Sequence, residues 1–181
     1  LFAFLLFSSQ ATFGQFSTGK IIEGCEVCGP SAAASADFNG DGLMDVLSNS
    51  GLEKTGIFLF ENKGDEVFAK GRMIVTLEYR ANFIEVGDID NDGDMDILYK
   101  YEDSENYNLF WHENDGNGFF IENHFIYAAS KDIRGIALKD INKDGYLDIL
   151  FIQEDGLYER LFWLKNDETG TFSRQTIFST S

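Results

Sequence analysis

Apolar residues fall along this chain in short runs broken by Gly, Asn and Asp, and no segment sustains the 3.6-residue period of an amphipathic helix. Short apolar runs bounded by turn residues predict β-strands. Three of them share one pattern: IFLFEN (57–62), LFWHEN (109–114) and LFWLKN (161–166). Side chains alternate faces along a strand, so Ile57 and Leu59, Leu109 and Trp111, and Leu161 and Trp163 point one way. Phe58, Phe110 and Phe162 point the other way. Both faces are apolar, whereas a strand in a half-solvated antiparallel sheet alternates apolar with polar residues. These strands are therefore expected to lie between two other layers. For Trp111 and Trp163 that favours core packing over a cofactor or sugar platform.

The register extends well beyond the aromatic runs. The segments ADFNGDGLMDVL (36–47), GDIDNDGDMDIL (87–98) and KDINKDGYLDIL (139–150) align, with Asp37, Asp88 and Asp140 spaced 51 and 52 residues apart. Asn62, Asn114 and Asn166 are each 52 apart, as are Phe68, Phe120 and Phe172, and Phe16 lies 52 before the first of these. One repeat reads as four short strands. The first leads into an aspartate loop and the second follows it, as in DVLSNS, DILYKY and DILFIQ. The third is the aromatic run, joined to a fourth by an Asn-Asp-Gly-type turn such as Asn114, Asp115, Gly116. Repeats of this length suit propeller blades. The expected fold is all-β: a β-propeller segment of about three four-stranded blades, approximately 24–76, 77–128 and 129–181.

The chemistry of the chain is concentrated in the three loops, which follow D-x-[DN]-x-D-G-x-x-D. Asp37, Asn39, Asp41 and Asp45 hold positions 1, 3, 5 and 9 of the first loop. Asp88, Asp90, Asp92 and Asp96 hold them in the second, and Asp140, Asn142, Asp144 and Asp148 in the third. Gly42, Gly93 and Gly145 at position 6 permit a tight reversal, and the main-chain carbonyls of Leu43, Asp94 and Tyr146 at position 7 would add an oxygen. Oxygen-only donors without sulfur or histidine suit a hard cation, and a flexible cage suits Ca2+ better than Mg2+. About three Ca2+ sites are expected, one per repeat. They are not EF-hands, because Ser48, Tyr99 and Phe151 stand where a bidentate Glu would be and strands follow in place of a helix. The second loop carries the most carboxylates and is expected to bind most tightly, with Asp92 among its ligands.

Composition sharpens this reading. The net charge is −17, from 31 acidic and 14 basic residues, which repels phosphate backbones and excludes nucleic acid as a partner. Eleven of the 31 carboxylates lie in the three loops, where they repel one another without a cation among them. Cys25 and Cys28, spaced CEVC, are compatible with a local disulfide, with free thiols, or with redox or metal chemistry. Zinc at that pair would need two further ligands, and His112 and His124 lie far away without a matching spacing. Both histidines read as packing or surface residues rather than bases.

The apolar run LFAFLLF (1–7) is too short for a membrane span, so no transmembrane segment is expected. Followed by small residues, it reads as the remnant of a signal peptide over 1–14, which places the protein outside the cell or at its surface. The other reading is a worn strand of an earlier blade.

The loops, together with the element WHENDGNGFF (111–120), give the chain a resemblance to the FG-GAP/VCBS repeat family, whose calcium-loop blades also build the integrin alpha-chain propeller. The likeness covers about residues 16–181. The middle repeat fits best, the first has Leu59 in place of the family's Trp, and the third lengthens its turn (NDETGTF). The resemblance implies a seven-bladed propeller, structural calcium between the first two strands, and extracellular binding or adhesion. It carries over no ligand-binding residue.

Three blades do not close a ring, which takes about four to eight. FSTGKII (16–22) aligns with a fourth strand, so residues 16–23 are expected to be a closing strand in a longer propeller; the alternative is assembly with other copies. The expected function is a non-enzymatic, secreted, calcium-binding module for an extracellular protein or glycan ligand. The alternatives are the propeller part of an extracellular polysaccharide-active enzyme, or a purely structural scaffold. No nucleophile elbow or zinc-protease motif is visible.

Overall fold

The computed structural model describes residues 30–50, 55–79, 81–155 and 158–175. The leader-like segment 1–14, the expected closing strand 16–23 and the Cys25–Cys28 pair lie outside the described residues. All regular structure among the described residues is strand, and no helix there is long and apolar enough to cross a membrane.

Among the described residues, twelve strands form three four-stranded antiparallel sheets, each taken up in chain order. The first sheet holds β1 (Ala33–Ala36), β2 (Asp45–Ser50), β3 (Gly56–Phe60) and β4 (Arg72–Thr76). The second holds β5 (Ala81–Gly87), β6 (Asp96–Glu102), β7 (Tyr107–Asn114) and β8 (Phe120–Ala129). The third holds β9 (Ile133–Lys139), β10 (Asp148–Asp155), β11 (Tyr158–Asn166) and β12 (Phe172–Gln175). The leading strands lie side by side from sheet to sheet, β5 against β1 and β9 against β5. This is the arrangement of a β-propeller segment of about three blades.

Two cores fill the spaces between sheets. Leu47, Ile57 and Leu59 meet Ile84, Ile97 and Tyr99 in the first, with Phe110 packed against it. Leu98, Leu109 and Trp111 meet Ile149, Phe151, Phe162 and Leu164 in the second. The aromatic strand is thus buried on both faces, as its pattern requires: Leu109 and Trp111 face the following sheet, and Phe110 faces the preceding one. The aromatic pairs of equivalent strands repeat too, with Tyr99 and Phe110 stacked at 5.7 Å and Phe151 and Phe162 at 5.0 Å. Trp111 is 2 % exposed, which settles its place in the core. On the far face of the third sheet, Leu150 pairs with Trp163 and Ile152 with Leu161. No further sheet covers them among the described residues, and Leu161 stands 48 % exposed where its equivalents Ile57 and Leu109 are fully buried.

Polar latches join neighbouring sheets at both ends of this packing. Asn114 Nδ2 donates to the Phe38 carbonyl in the first sheet's loop at 2.9 Å, and Asn166 Nδ2 to the Ile89 carbonyl in the second's at 2.7 Å. At the opposite end Asn49 donates to the Ala81 carbonyl and Lys100 Nζ to the Ile133 carbonyl. Buried main-chain oxygens need such partners. Ile152, next in that series, has no donor to offer.

Candidate metal-binding loops

Each aspartate loop joins the first and second strands of its sheet and folds around its own side chains. The position-1 carboxylate accepts the N–H of the position-6 glycine in all three: Asp37 from Gly42 at 2.8 Å, Asp88 from Gly93 at 3.1 Å, and Asp140 from Gly145 at 3.1 Å. The position-3 side chain takes the N–H of position 5: Asn39 from Asp41, Asp90 from Asp92, and Asn142 from Asp144. The position-5 carboxylate takes the N–H of position 7, where Leu43, Asp94 and Tyr146 stand. Short polar side chains cap nearby N–H groups in this way wherever the backbone turns too tightly for a ladder. Gly42, Gly93 and Gly145 have φ of +84°, +102° and +95°, a region open to glycine at little cost.

Position 9 does something the spacing alone did not reveal. Asp45, Asp96 and Asp148 are fully buried at the start of the second strands, and each accepts two main-chain N–H groups. For Asp96 these are Ile89 at 2.9 Å and Asn114 at 2.9 Å; for Asp45, Phe38 at 3.2 Å and Asn62 at 2.8 Å; for Asp148, Ile141 at 3.3 Å and Asn166 at 3.0 Å. One carboxylate therefore ties the loop to the end of the third strand. The asparagines that mark the 52-residue register are the other half of that device. Their invariance was the available signal, but periodicity alone does not say what a side chain touches.

The loops differ in how far their carboxylates converge. In the second, Asp88, Asp90 and Asp96 bring ligand oxygens within 4.8 Å of one another, and the other two loops hold no such carboxylate group. Asp88 Oδ1 is buried there without a hydrogen-bond partner. Asp92 stays outside the group, with its Oδ1 on the Asp94 N–H. Burial pushes the Asp96 carboxyl up to about 7, against the pull of its two N–H donors, with the Asp90 and Asp92 charges adding to the rise. Asp90 is raised by burial and by the charges of Asp92, Glu113 and Asp88. Burial raises Asp45 and Asp94 as well.

Lysines change the balance elsewhere. In the third loop burial is outweighed by a hydrogen bond from Asn142, the Tyr146 N–H and Lys165, which hold Asp144 below its usual range. Lys165 Nζ lies 3.2 Å from Asp144. Lys63 is held chiefly by Glu61, 2.6 Å away, and feels the charges of Asp41 and Asp45 in the first loop more weakly. At the place of Lys165 the second sheet has Glu113 instead. An orphaned buried oxygen among mutually repelling carboxylates fits a hard divalent cation, and Asp88, Asp90 and Asp96 would hold it.

Stacked four-stranded antiparallel sheets, each with an acidic loop between its first and second strands, define a β-propeller repeat protein. The family model of the FG-GAP-like repeat matches residues 37–99 and 102–151, and the chain belongs to the FG-GAP-like repeat family. No curated protein and no solved structure matches it significantly.

Proposed function

We propose that this chain is a secreted, calcium-stapled propeller module that binds an extracellular protein or glycan and performs no catalysis of its own. The observation that carries the calcium reading is Asp88 Oδ1, buried without a partner beside Asp90 and Asp96. Calcium there would offset the burial, and the smaller mutual repulsion, that raise Asp90 and Asp96, and would fix the corner from which β6 starts. Its role is structural, and Asp37, Asn39, Asp41 and Asp45 in the first loop and Asp140, Asn142, Asp144 and Asp148 in the third offer weaker versions of the site. The leader-like run at 1–7 supports export. A cleft between the first two loops, lined by Asp37, Met44, Val86, Asp94 and Met95, supports docking of a partner. Met44 is 54 % exposed there, and flexible thioethers suit an adaptable contact.

Calcium titration followed by melting tests the first half: the expected result is a higher Tm with calcium, reversed by chelator and smaller in Asp90→Asn. A Tm indifferent to calcium would sink the reading. Glycan and protein arrays probed with and without calcium test the second half, where binding that vanishes on chelation supports a ligand-presenting role.

A further inference from the structure

The second sheet carries, at its outer edge, a group of side chains that the other two sheets lack. Trp111 on β7 pairs across the ladder with His124 on β8, and Glu113 pairs with Glu122. His124 lies flat on the Trp111 ring, centroids 4.2 Å apart and planes 13° apart, which fixes the imidazole. Its Nε2 is 3.2 Å from Glu113 Oε2 and 3.7 Å from Glu122 Oε2. All three ligand atoms fall within 4.8 Å of one another.

The equivalent places in the neighbouring sheets hold cations of their own. Opposite Leu59 in the first sheet stands Arg72, whose guanidinium lies 3.5 Å from Glu61 and donates to the Gly118 carbonyl at 2.8 Å. In the third sheet Gln175 stands opposite Trp163, and Lys165 pairs with Ser173. Among the described residues, the second sheet alone sets two carboxylates around one imidazole, where the first sheet sets an arginine beside Glu61.

We propose that Glu113, Glu122 and His124 form a second cation site, distinct from the aspartate loops, that takes a divalent transition metal of the zinc type. One imidazole nitrogen with two carboxylate oxygens is a borderline donor set, whereas calcium asks for six to eight oxygens. Zinc bonds of about 2.0–2.2 Å at tetrahedral angles put neighbouring ligand atoms about 3.3–3.6 Å apart, and the two separations from His124 Nε2, 3.2 and 3.7 Å, bracket that edge. With His124 a third exposed and Glu122 more than half exposed, the fourth position faces solvent and would carry water.

Isothermal titration with zinc chloride, on protein already saturated with calcium so that the loops are filled, reads the site. The expected result is uptake of one zinc ion that is lost in His124→Asn and weakened at least about tenfold in Glu122→Gln, given that even outer-shell partners cost 10–100-fold. Asp90→Asn should leave zinc uptake in place. Cu2+ should quench tryptophan fluorescence in the native chain and not in His124→Asn, because the metal would sit beside the ring stacked on Trp111. Glu122 is exposed, so its variant folds and keeps the test valid even where His124→Asn loosens the sheet. No zinc uptake, uptake unchanged in both variants, or uptake abolished by Asp90→Asn would each overturn the proposal.

Discussion

Asn114 and Phe38 are separated by 76 residues, and the Asn114 side chain donates to the Phe38 main-chain oxygen across the junction of the first two sheets. The same side chain reaches the Met95 carbonyl of its own sheet, while its main-chain N–H goes to Asp96. Asn166 repeats all three bonds one sheet further on. The residue therefore links loop, third strand and neighbouring blade at once, with both side-chain N–H groups spoken for.

Removing it should expose that arithmetic. Asn114→Ala and Asn166→Ala leave a buried carbonyl on each side unsatisfied, at about 1–3 kcal/mol for each group. Asn62→Ala should cost less, because the bond from Asn62 Nδ2 to the Met44 carbonyl is exposed and Asn62 itself is only half-buried. Urea denaturation of the three variants checks the order. A loss for Asn62→Ala as large as for the other two would refute the latch.

Leu109 and Leu161 occupy the same position in successive repeats, yet one is fully buried and the other 48 % exposed. Leu109→Ala should cost about 2–5 kcal/mol as a core truncation. Leu161→Ala should cost less than about 1 kcal/mol, since little contact is lost. Equal losses would mean that the far face of the third sheet is covered in solution.

Gly170 has φ +74°, and a Cβ there would come within 2.5 Å of Trp111 Cζ2. Gly42 has φ +84° with open space around it. Gly170→Ala should therefore add overpacking of about 1–3 kcal/mol to the backbone strain that Gly42→Ala meets alone. Thermal melts of the two variants, compared in the same buffer, measure the difference.

The calcium-free protein should lose stability as pH rises. Asp96 has its carboxyl raised from 3.8 to about 7, so the folded state holds that proton more firmly than the unfolded chain. Its stabilising contribution is present below about pH 4 and fades as pH rises through about 7. Asp45, Asp90 and Asp94 shift in the same direction. Denaturation in chelator between pH 4.5 and 7.5 should show a steeper decline for the native chain than for Asp96→Asn. Calcium should flatten the native profile. Identical slopes for the two chains would remove Asp96 from the account.

Much of the fold was legible in the chain because a repeat prints its period wherever it needs the same contact. Doubly apolar strands such as 109–111 announce layers on both sides, and the position-6 glycines announce the turns. The loops were legible as candidate cation sites for the same reason. Which loop gathers its carboxylates was harder to see. Asp92 was expected among the ligands of the second loop; its Oδ1 accepts the Asp94 N–H, as the position-5 carboxylates do in the other two loops, and the carboxylates whose oxygens converge are those of Asp88, Asp90 and Asp96.

The sequence by itself determined the strand count per repeat, the loops and the face each apolar residue takes, because these depend on neighbours a few positions away. Tertiary structure alone decided the rest. The closing of Asn114 on Phe38, the orphaned oxygen of Asp88, and the meeting of His124 with Glu113 and Glu122 depend on strands brought together from distant parts of the chain or across a ladder. Side-chain alternation fixes direction, but only the packed ladder fixes distance, and both hydrogen bonding and metal ligation are set by distance.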